Sequence, residues 1–524
     1  MKGGLRQSMA WLHTWSGLLV GWVLFAVFLT GTLSYVRPEI TQWMRPELHG
    51  TTANPDAATV AMRRMQEQAP GATLWSIGLP DDRQPIVTAF WRSPTIGGRG
   101  FRTATFDSHT GRDLASRETL GGAFFYRFHY QLHYMAPVAG RWIVGFCTMF
   151  MLVAIVSGII THRRIFADFF TFRPGKGQRS WLDAHNATAV LALPFHLVIT
   201  YTGLVTLMLL YMPWGIEARY GADRAAFNAE VFAVTPPGQA TGRPAPLVAD
   251  IRPLIAEAER HWGEGRVGRI VVNHPGDAAA TIQLLRDDEG RLSTSRRVVQ
   301  FDGVTGAFQS ATPGTPPAAE TRGIMVGLHL GGFGGWPIRA LLLLSGIAGT
   351  IMVGSGLLLW AVKEHKKAGR AGRPGFGVRL VDRLNLAVVG GMPVAVAAFL
   401  WLNRLLPVGM ADRPQWEANG FFIVWGVLAA AAMVRPGRQA WALMLALAAG
   451  LFLLLPVLNA LTTSTHLGVS LARGYWGVAG VDLGGVVVGL ALALAAARLA
   501  RAPGRPVRAL AAAEQGAGVG SSAG

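Results

Sequence analysis

Histidines are the side chains in this sequence with the clearest chemical potential, because several of them lie beside long apolar segments. His129 and His133 stand four residues apart in RFHYQLHYM, just before an apolar run that begins at residue 141. Ionisable residues in or beside a membrane are costly and mark functional sites. Two neutral imidazoles on facing helices can occupy both axial positions of a haem iron. The elements that carry the histidines decide which of them face each other.

Apolar segments of near-bilayer length predict a membrane protein that is mainly α, with about eight transmembrane helices. About 20 residues are needed for a helix to cross the bilayer. The first segment follows Lys2 and Arg6 and is too long for a cleaved signal, which favours a retained anchor. The predicted helices cover residues 15–36, 141–161, 187–212, 339–362, 384–402, 419–434, 440–461 and 476–499.

The net charge of +18 is unevenly distributed along the chain. Residues 37–127 hold 11 Arg against 9 acids and residues 213–322 hold 12 Arg against 13 acids, so +17 lies in the short segments elsewhere. This is the positive-inside pattern and argues against a nucleic-acid binder. It predicts a multi-pass protein of a bacterial inner membrane, with both termini in the cytoplasm and the two long segments in the periplasm.

An internal repeat relates the two halves of the first 365 residues. The stretch WLHTWSGLLV resembles LDAHNATAVL, and a glycine follows 18 residues after His13, as another does after His185. Similarly, YQLHYMAPVAGRWIVG resembles VGLHLGGFGGWPIRAL, which aligns His133 with His329. These alignments predict two facing pairs, His13 with His185 and His133 with His329.

The two long hydrophilic segments also resemble each other. Both contain Phe-Asp-x-x-Thr-Gly, in FDSHTG and FDGVTG, after a helix-like stretch and an alternating strand. The motif predicts a tight turn between strands, and hence two small α+β periplasmic modules. The predicted organisation is a first helix (1–36), a first module (37–127), helices two and three with their cytoplasmic loop (128–212), a second module (213–322), a fourth helix (323–365), and four further helices with a basic tail (366–524).

Residues 8–365 resemble the PepSY-associated transmembrane family of iron-regulated bacterial inner-membrane proteins. The resemblance rests on WLHTWSGLLVG, FLTGTL, FDSHTG, THRRIFADFFTFRPGKGQRSWLDAHN, FDGVTG and LHLGGFGGWPIRALLLLSG. It implies that the two modules are PepSY-like. It also implies a ferric-siderophore reductase that holds two haems b, here between His13 and His185 and between His133 and His329.

Three other histidines are alternative haem-binding residues. His129 is one helical turn from His133 and would share its helical face. His196 lies eleven residues after His185, which on a straight helix is about 16 Å along the same face. His162 follows the second apolar run and is a candidate to bond a haem propionate beside Arg163 or Arg164.

Other chemistry is absent from the sequence. Cys147 is the only cysteine, and no dinucleotide-binding, Walker or hydrolase motif occurs. Electrons would therefore come from a quinol or a separate cytoplasmic reductase, and would reduce a periplasmic ferric chelate. The competing hypotheses are a non-enzymatic membrane protein that binds a periplasmic partner such as a protease, and a transporter.

Overall fold

A computed structural model describes most of the chain, with short gaps. It covers residues 4–93, 100–162, 173, 177–232, 238–263, 265–312, 314–371 and 374–501. The helices are α1 (Leu5–Ser34), α2 (Arg37–Trp43), α3 (Ala57–Gln68), α4 (Ala123–Gln131), α5 (Pro137–Thr161), α6 (Gln178–Leu191), α7 (Leu193–Thr206), α8 (Met208–Tyr211), α9 (Trp214–Tyr220), α10 (Arg224–Phe232), α11 (Arg252–Trp262), α12 (Pro317–Leu330), α13 (Gly335–Ala371), α14 (Phe376–Asn385), α15 (Gly391–Leu405), α16 (Arg413–Val434), α17 (Arg438–Leu453), α18 (Leu455–Thr462), α19 (Leu467–Ala472) and α20 (Trp476–Arg501). The strands are β1 (Leu74–Gly78), β2 (Val87–Arg92), β3 (Phe101–Phe106), β4 (Val267–Asn273), β5 (Thr281–Arg286), β6 (Val298–Asp302) and β7 (Phe308–Ala311).

The helical part has the length and composition of a multi-pass membrane protein. Within the described ranges, seven helices or joined helices are long and apolar enough to span a bilayer. The number is eight if the bent pair α6 and α7 counts as one span. Each of the eight predicted segments thus falls on one of these helices. The third is not straight, because α6 and α7 meet at 69°. Pro194 lies in the first turn of α7, where a missing backbone N–H and ring sterics favour a break.

The two predicted modules form one sheet. All seven strands pair antiparallel in the order β3-β2-β1-β4-β5-β6-β7, and β1 pairs with β4 from Leu74 with Asn273 to Gly78 with Arg269. Helices α3 and α11 pack on the same face of the sheet, where they share one apolar core with it. Joining the modules at β1 and β4 satisfies backbone groups that would otherwise be unpaired edges.

The repeated Phe-Asp-x-x-Thr-Gly motif forms the tight turn that its residues predict. Asp302 Oδ1 accepts hydrogen bonds from the backbone N–H groups of Val304 and Thr305 and from the Thr305 hydroxyl, at 2.8–3.0 Å. Gly306 ends the turn with φ of +74°, in the left-handed region that glycine tolerates best. Asp107 has the same arrangement in the first half of the sheet.

Removing the Asp302 carboxylate is expected to destabilise the β6–β7 hairpin. The hydrogen bond from the Thr305 backbone N–H is the largest influence on the pKa of Asp302. Burial opposes it, but together with the bond from the Thr305 hydroxyl it lowers this pKa below the ordinary 3.8. Asp302→Ala should therefore cost about 1–3 kcal/mol at neutral pH. The difference in free energy of unfolding between Asp302→Ala and wild type should be fully present above pH 3.8. It should vanish as the pH falls through the lower pKa that Asp302 has in the folded protein.

Hydrogen exchange of the β6–β7 backbone, measured on the full-length protein in detergent at several pH values, tests this expectation. Asp302→Asn is the matched control, since it keeps one acceptor oxygen at the same place and should lose less protection. Equal protection of Asp302→Ala and wild type at neutral pH would contradict it.

The last helices, α14 to α20, are attached to the rest of the chain by buried polar contacts as well as apolar packing. Arg413 and Glu417, both fully buried in α16, form an ion pair at 2.6 Å. Glu417 also accepts a hydrogen bond from the Thr119 hydroxyl, in the segment before α4. Trp43 of α2 donates to Asp482 of α20 at 2.8 Å. Buried charges are stable only when paired, so these contacts fix the last helices against the first 365 residues.

Candidate haem-binding histidine pairs

His13 of α1 and His185 of α6 lie beside each other and form the first histidine pair. Their ring centres are 6.1 Å apart with the planes at 66°. His13 Nδ1 is 2.7 Å from the carbonyl oxygen of Ala154 in α5, and His185 Nδ1 is 2.9 Å from that of Met352 in α13. A carbonyl oxygen only accepts, so each Nδ1 carries the proton. Each Nε2 therefore keeps a lone pair that can bind a metal.

His129 of α4 and His329 of α12 form a second histidine pair, with ring centres 6.0 Å apart. His129 Nδ1 is 2.8 Å from the carbonyl oxygen of Val27 in α1. His329 Nδ1 is 3.1 Å from the Thr202 hydroxyl, whose own proton is donated to the Val198 carbonyl at 2.6 Å. That hydroxyl must therefore accept from His329, so both rings again have Nδ1 protonated and Nε2 available.

Each of these four rings packs against a glycine of a neighbouring helix. A side chain at the glycine position would meet the imidazole, because the space that a Cβ would need is occupied by the ring. The nearest ring atom would be 3.1 Å away for His13 at Gly158, 3.1 Å for His185 at Gly356, 2.6 Å for His129 at Gly31 and 3.1 Å for His329 at Gly203. Gly31 and Gly203 are the glycines that lie 18 residues after His13 and His185, and Gly158 and Gly356 each end a Ser-Gly stretch in the corresponding helices α5 and α13. The repeat therefore preserves the glycines against which the rings pack.

His133 lies elsewhere, against the last helices. Its ring stacks on Phe422 of α16 at 5.2 Å and 13°, and contacts Phe124 at 5.8 Å. The prediction that His129 and His133 share one helical face is wrong, because α4 ends at Gln131 and Leu132 has φ of +60°. It is His129 that lies beside His329, in the position that the sequence alignment gives to His133.

His196 is buried just beyond the bend between α6 and α7. The prediction that it continues the face of His185 along a straight helix is wrong, because the 69° bend intervenes. Its ring packs edge-on against Phe28 at 6.1 Å. The carbonyls of Ala189 and Ser345 lie near it, but neither ring nitrogen has a partner in hydrogen-bond geometry among the described residues.

A cavity of about 290 Å³ adjoins the first pair. Both rings of the pair and His196 line it, and most of its wall is apolar, including Leu18, Met151 and Leu357. Such a wall suits a flat, largely apolar cofactor more than a hydrated ion. Within the described part of the chain, no cluster of three or more His, Cys, Asp or Glu side chains could hold a bare metal ion.

The spacing of both pairs fits haem ligation. Two imidazoles on opposite sides of one metal ion, each bonded at about 2 Å, have their ring centres about 6 Å apart. A haem iron brings four ligands of its own and needs only two from the protein. Two tethered imidazoles per site, with Nε2 available, therefore match haem better than a metal without a macrocycle.

Comparison with known proteins agrees with this architecture. The model of the PepSY-associated TM region matches residues 10–363, about two thirds of the chain. The chain belongs to the PepSY-associated transmembrane family. An uncharacterized protein of Pseudomonas aeruginosa is 28% identical over 386 residues, which covers 70% of this chain and 92% of that protein. The four paired histidines, together with His162 and His196, all fall within the residues matched by the PepSY-associated family.

Of the residues predicted around a haem propionate, only His162 is among the described residues. His162 caps α5 and lines the cavity with the first pair. Arg163 and Arg164, proposed beside it from the sequence, lie outside the described residues. Sequence reasoning missed Thr202 and the carbonyls of Ala154 and Met352, which orient the rings. The sequence signal that could have located these contacts is the recurrence of Val-Ser-Gly in α5 and Gly-Ser-Gly in α13, because the last glycine of each packs against the ring of His13 or His185.

Proposed function

We propose that the protein is an inner-membrane b-type cytochrome that passes electrons across the membrane to a periplasmic ferric chelate. The observation that carries this proposal is the pair of sites, each with two facing imidazoles about 6 Å apart and with the same nitrogen protonated. A single such site would indicate only that the protein binds haem. Two sites at opposite ends of α1 suit a path for electrons through the bundle.

The residues that would hold the two haems are His13 with His185, and His129 with His329. Haem supplies one-electron transfer, and the protein supplies ligands, position and dielectric surroundings. The backbone carbonyls and Thr202 hold the rings by Nδ1, which fixes their orientation and raises the basicity of Nε2. His133 has its ring stacked on Phe422, so we favour His129 as the partner of His329.

The direction of electron flow follows from the charge pattern. The excess of basic residues in short segments favours placing the first pair near the cytoplasm and the seven-stranded sheet in the periplasm. A quinol or a cytoplasmic reductase would then supply electrons at the first pair, since the sequence has no nucleotide-binding motif. A ferric siderophore near the sheet would be the acceptor, and reduction to Fe(II) weakens its hold by hard oxygen ligands.

The first test is the optical spectrum of the detergent-purified protein, oxidised and then reduced with dithionite. We expect two haems b per chain by pyridine haemochrome. The reduced spectrum should show the separate α and β bands of low-spin bis-imidazole iron. Oxidation of the reduced protein by a ferric siderophore should then restore the oxidised spectrum. A protein that stays colourless when made in haem-supplied cells would contradict the proposal and favour a non-enzymatic role in binding a periplasmic partner.

A further inference from the structure

The cavity beside the first pair has a polar end formed by three side chains from three helices or their caps. Lys363 of α13, Asn186 of α6 and His162 after α5 all line it, together with His13 and His185. Leu24, eleven residues after His13 in α1, and His196, beyond the bend after α6, line the cavity further along these helices. The cavity is thus polar and cationic at one end and mainly apolar at the other, with the two imidazoles between.

Lys363 has no carboxylate within ion-pair distance among the described residues. Two other basic side chains of the same helix are paired, since Lys367 lies 2.6 Å from Glu364 and His365 lies 2.6 Å from Asp382. A lysine without a partner beside an apolar cavity can bind an anion with little competition from the protein itself.

His162 offers a second donor at the same end. The Asn186 side-chain amide donates to His162 Nε2 at 3.0 Å, so the neutral imidazole carries its proton on Nδ1. That Nδ1 is buried and has no hydrogen-bond partner in the described residues. A buried donor left unpaired costs about 1–3 kcal/mol, which a bound acceptor would recover.

We propose that this polar end binds the carboxylates of the cofactor held by His13 and His185. The inference rests on the proposed function, because haem b has an apolar body and two propionates on one edge. Lys363 would pair with one propionate and His162 Nδ1–H would donate to the acidic edge. This arrangement sets the cofactor with its acidic edge toward the polar end and its apolar edge toward Leu24 and His196.

The test is binding of haemin and of haemin dimethyl ester, in which both carboxylates are blocked, to the full-length protein prepared without haem. Wild type should bind haemin more tightly than the ester. Lys363→Gln should weaken haemin binding by about ten-fold, as expected for loss of a charge-assisted contact, and leave binding of the ester unchanged. His162→Phe should show the same selective loss.

Lys367→Gln is the matched control, because it removes a lysine one turn further along α13 whose ammonium is already paired with Glu364. It should bind both compounds as wild type does. The midpoint potential gives a second measurement, since a nearby cation favours the reduced iron. The potential of the cavity haem should fall in Lys363→Gln and not in Lys367→Gln.

Two results would overturn the inference while leaving the proposed function in place. One is equal weakening of haemin and its ester by Lys363→Gln. The other is unchanged haemin binding and potential with loss of co-purified anionic lipid, which would assign Lys363 to a headgroup. Failure of wild type to bind either compound would instead remove the proposed function, and the inference with it.

Discussion

Purified His13→Ala and His185→Ala proteins are expected to carry about one haem per chain, against two expected for wild type. Each substitution removes one of the two imidazoles that would bind the iron at the first pair, whose rings are 6.1 Å apart. The rings of the second pair are held about four turns further along α1, by the carbonyl of Val27, and by Thr202 of α7, so the second haem should remain. Pyridine haemochrome quantification against protein concentration measures the change.

Two controls separate ligand loss from general damage. His365→Ala removes an exposed histidine on α13 that is paired with Asp382, and should keep both haems. Adding imidazole to His13→Ala during reconstitution should restore the lost haem, because the space left by the side chain fits the free ligand. Retention of both haems in His13→Ala and His185→Ala would show that this pair does not bind the cofactor.

The first pair could be predicted from the sequence because the spacing from each histidine to the following Thr-Gly is the same in the two halves. The glycine 18 residues after each of them seats a ring of the second pair, so the spacing of one half is reproduced in the other. Helices α1 and α6 also begin as continuous helices through both histidines. Register along an unbroken helix is fixed by its period, and the alignment therefore carries over to three dimensions.

The partner of His329 could not be chosen from the sequence, because the chain between α4 and α5 is irregular. Leu132 and Tyr134 both have positive φ, an unfavourable conformation for side-chain-bearing residues. Helical spacing therefore does not relate His129 to His133. In the second half of the repeat, the corresponding break between α12 and α13 is the 3₁₀ turn Gly332–Gly334. The two halves of the repeat therefore align only approximately between these helices.

The joining of the two sheet modules was also beyond the sequence. Alternation and the Phe-Asp-x-x-Thr-Gly turns identify strands and hairpins, which are local features. The pairing of β1 with β4 connects residues far apart in the chain, as with Leu74 and Asn273. The period of a strand does not determine which edge strands of two modules pair with each other. Here the edge strands β1 and β4, which are of similar length, are the ones that pair.

His129→Ala and His133→Ala give the sharpest contrast at the second pair. His129→Ala should lose one haem, because its Nε2 is the available lone pair facing His329 at a ring separation of 6.0 Å. His133→Ala should keep both haems, since its ring stacks on Phe422 instead. Its cost should be limited to stability, through weaker packing of the α4–α5 linker against α16.

Electron paramagnetic resonance of the oxidised proteins, with haem quantification, distinguishes the two variants. The low-spin signal of the second haem should vanish in His129→Ala and persist in His133→Ala. Phe422→Leu serves as the packing control for His133, since it removes the stacking partner without touching either histidine pair. The opposite result, loss in His133→Ala alone, would mean that the linker rearranges when haem binds and carries His133 to His329. The strained conformations of Leu132 and Tyr134 would then mark the segment that moves.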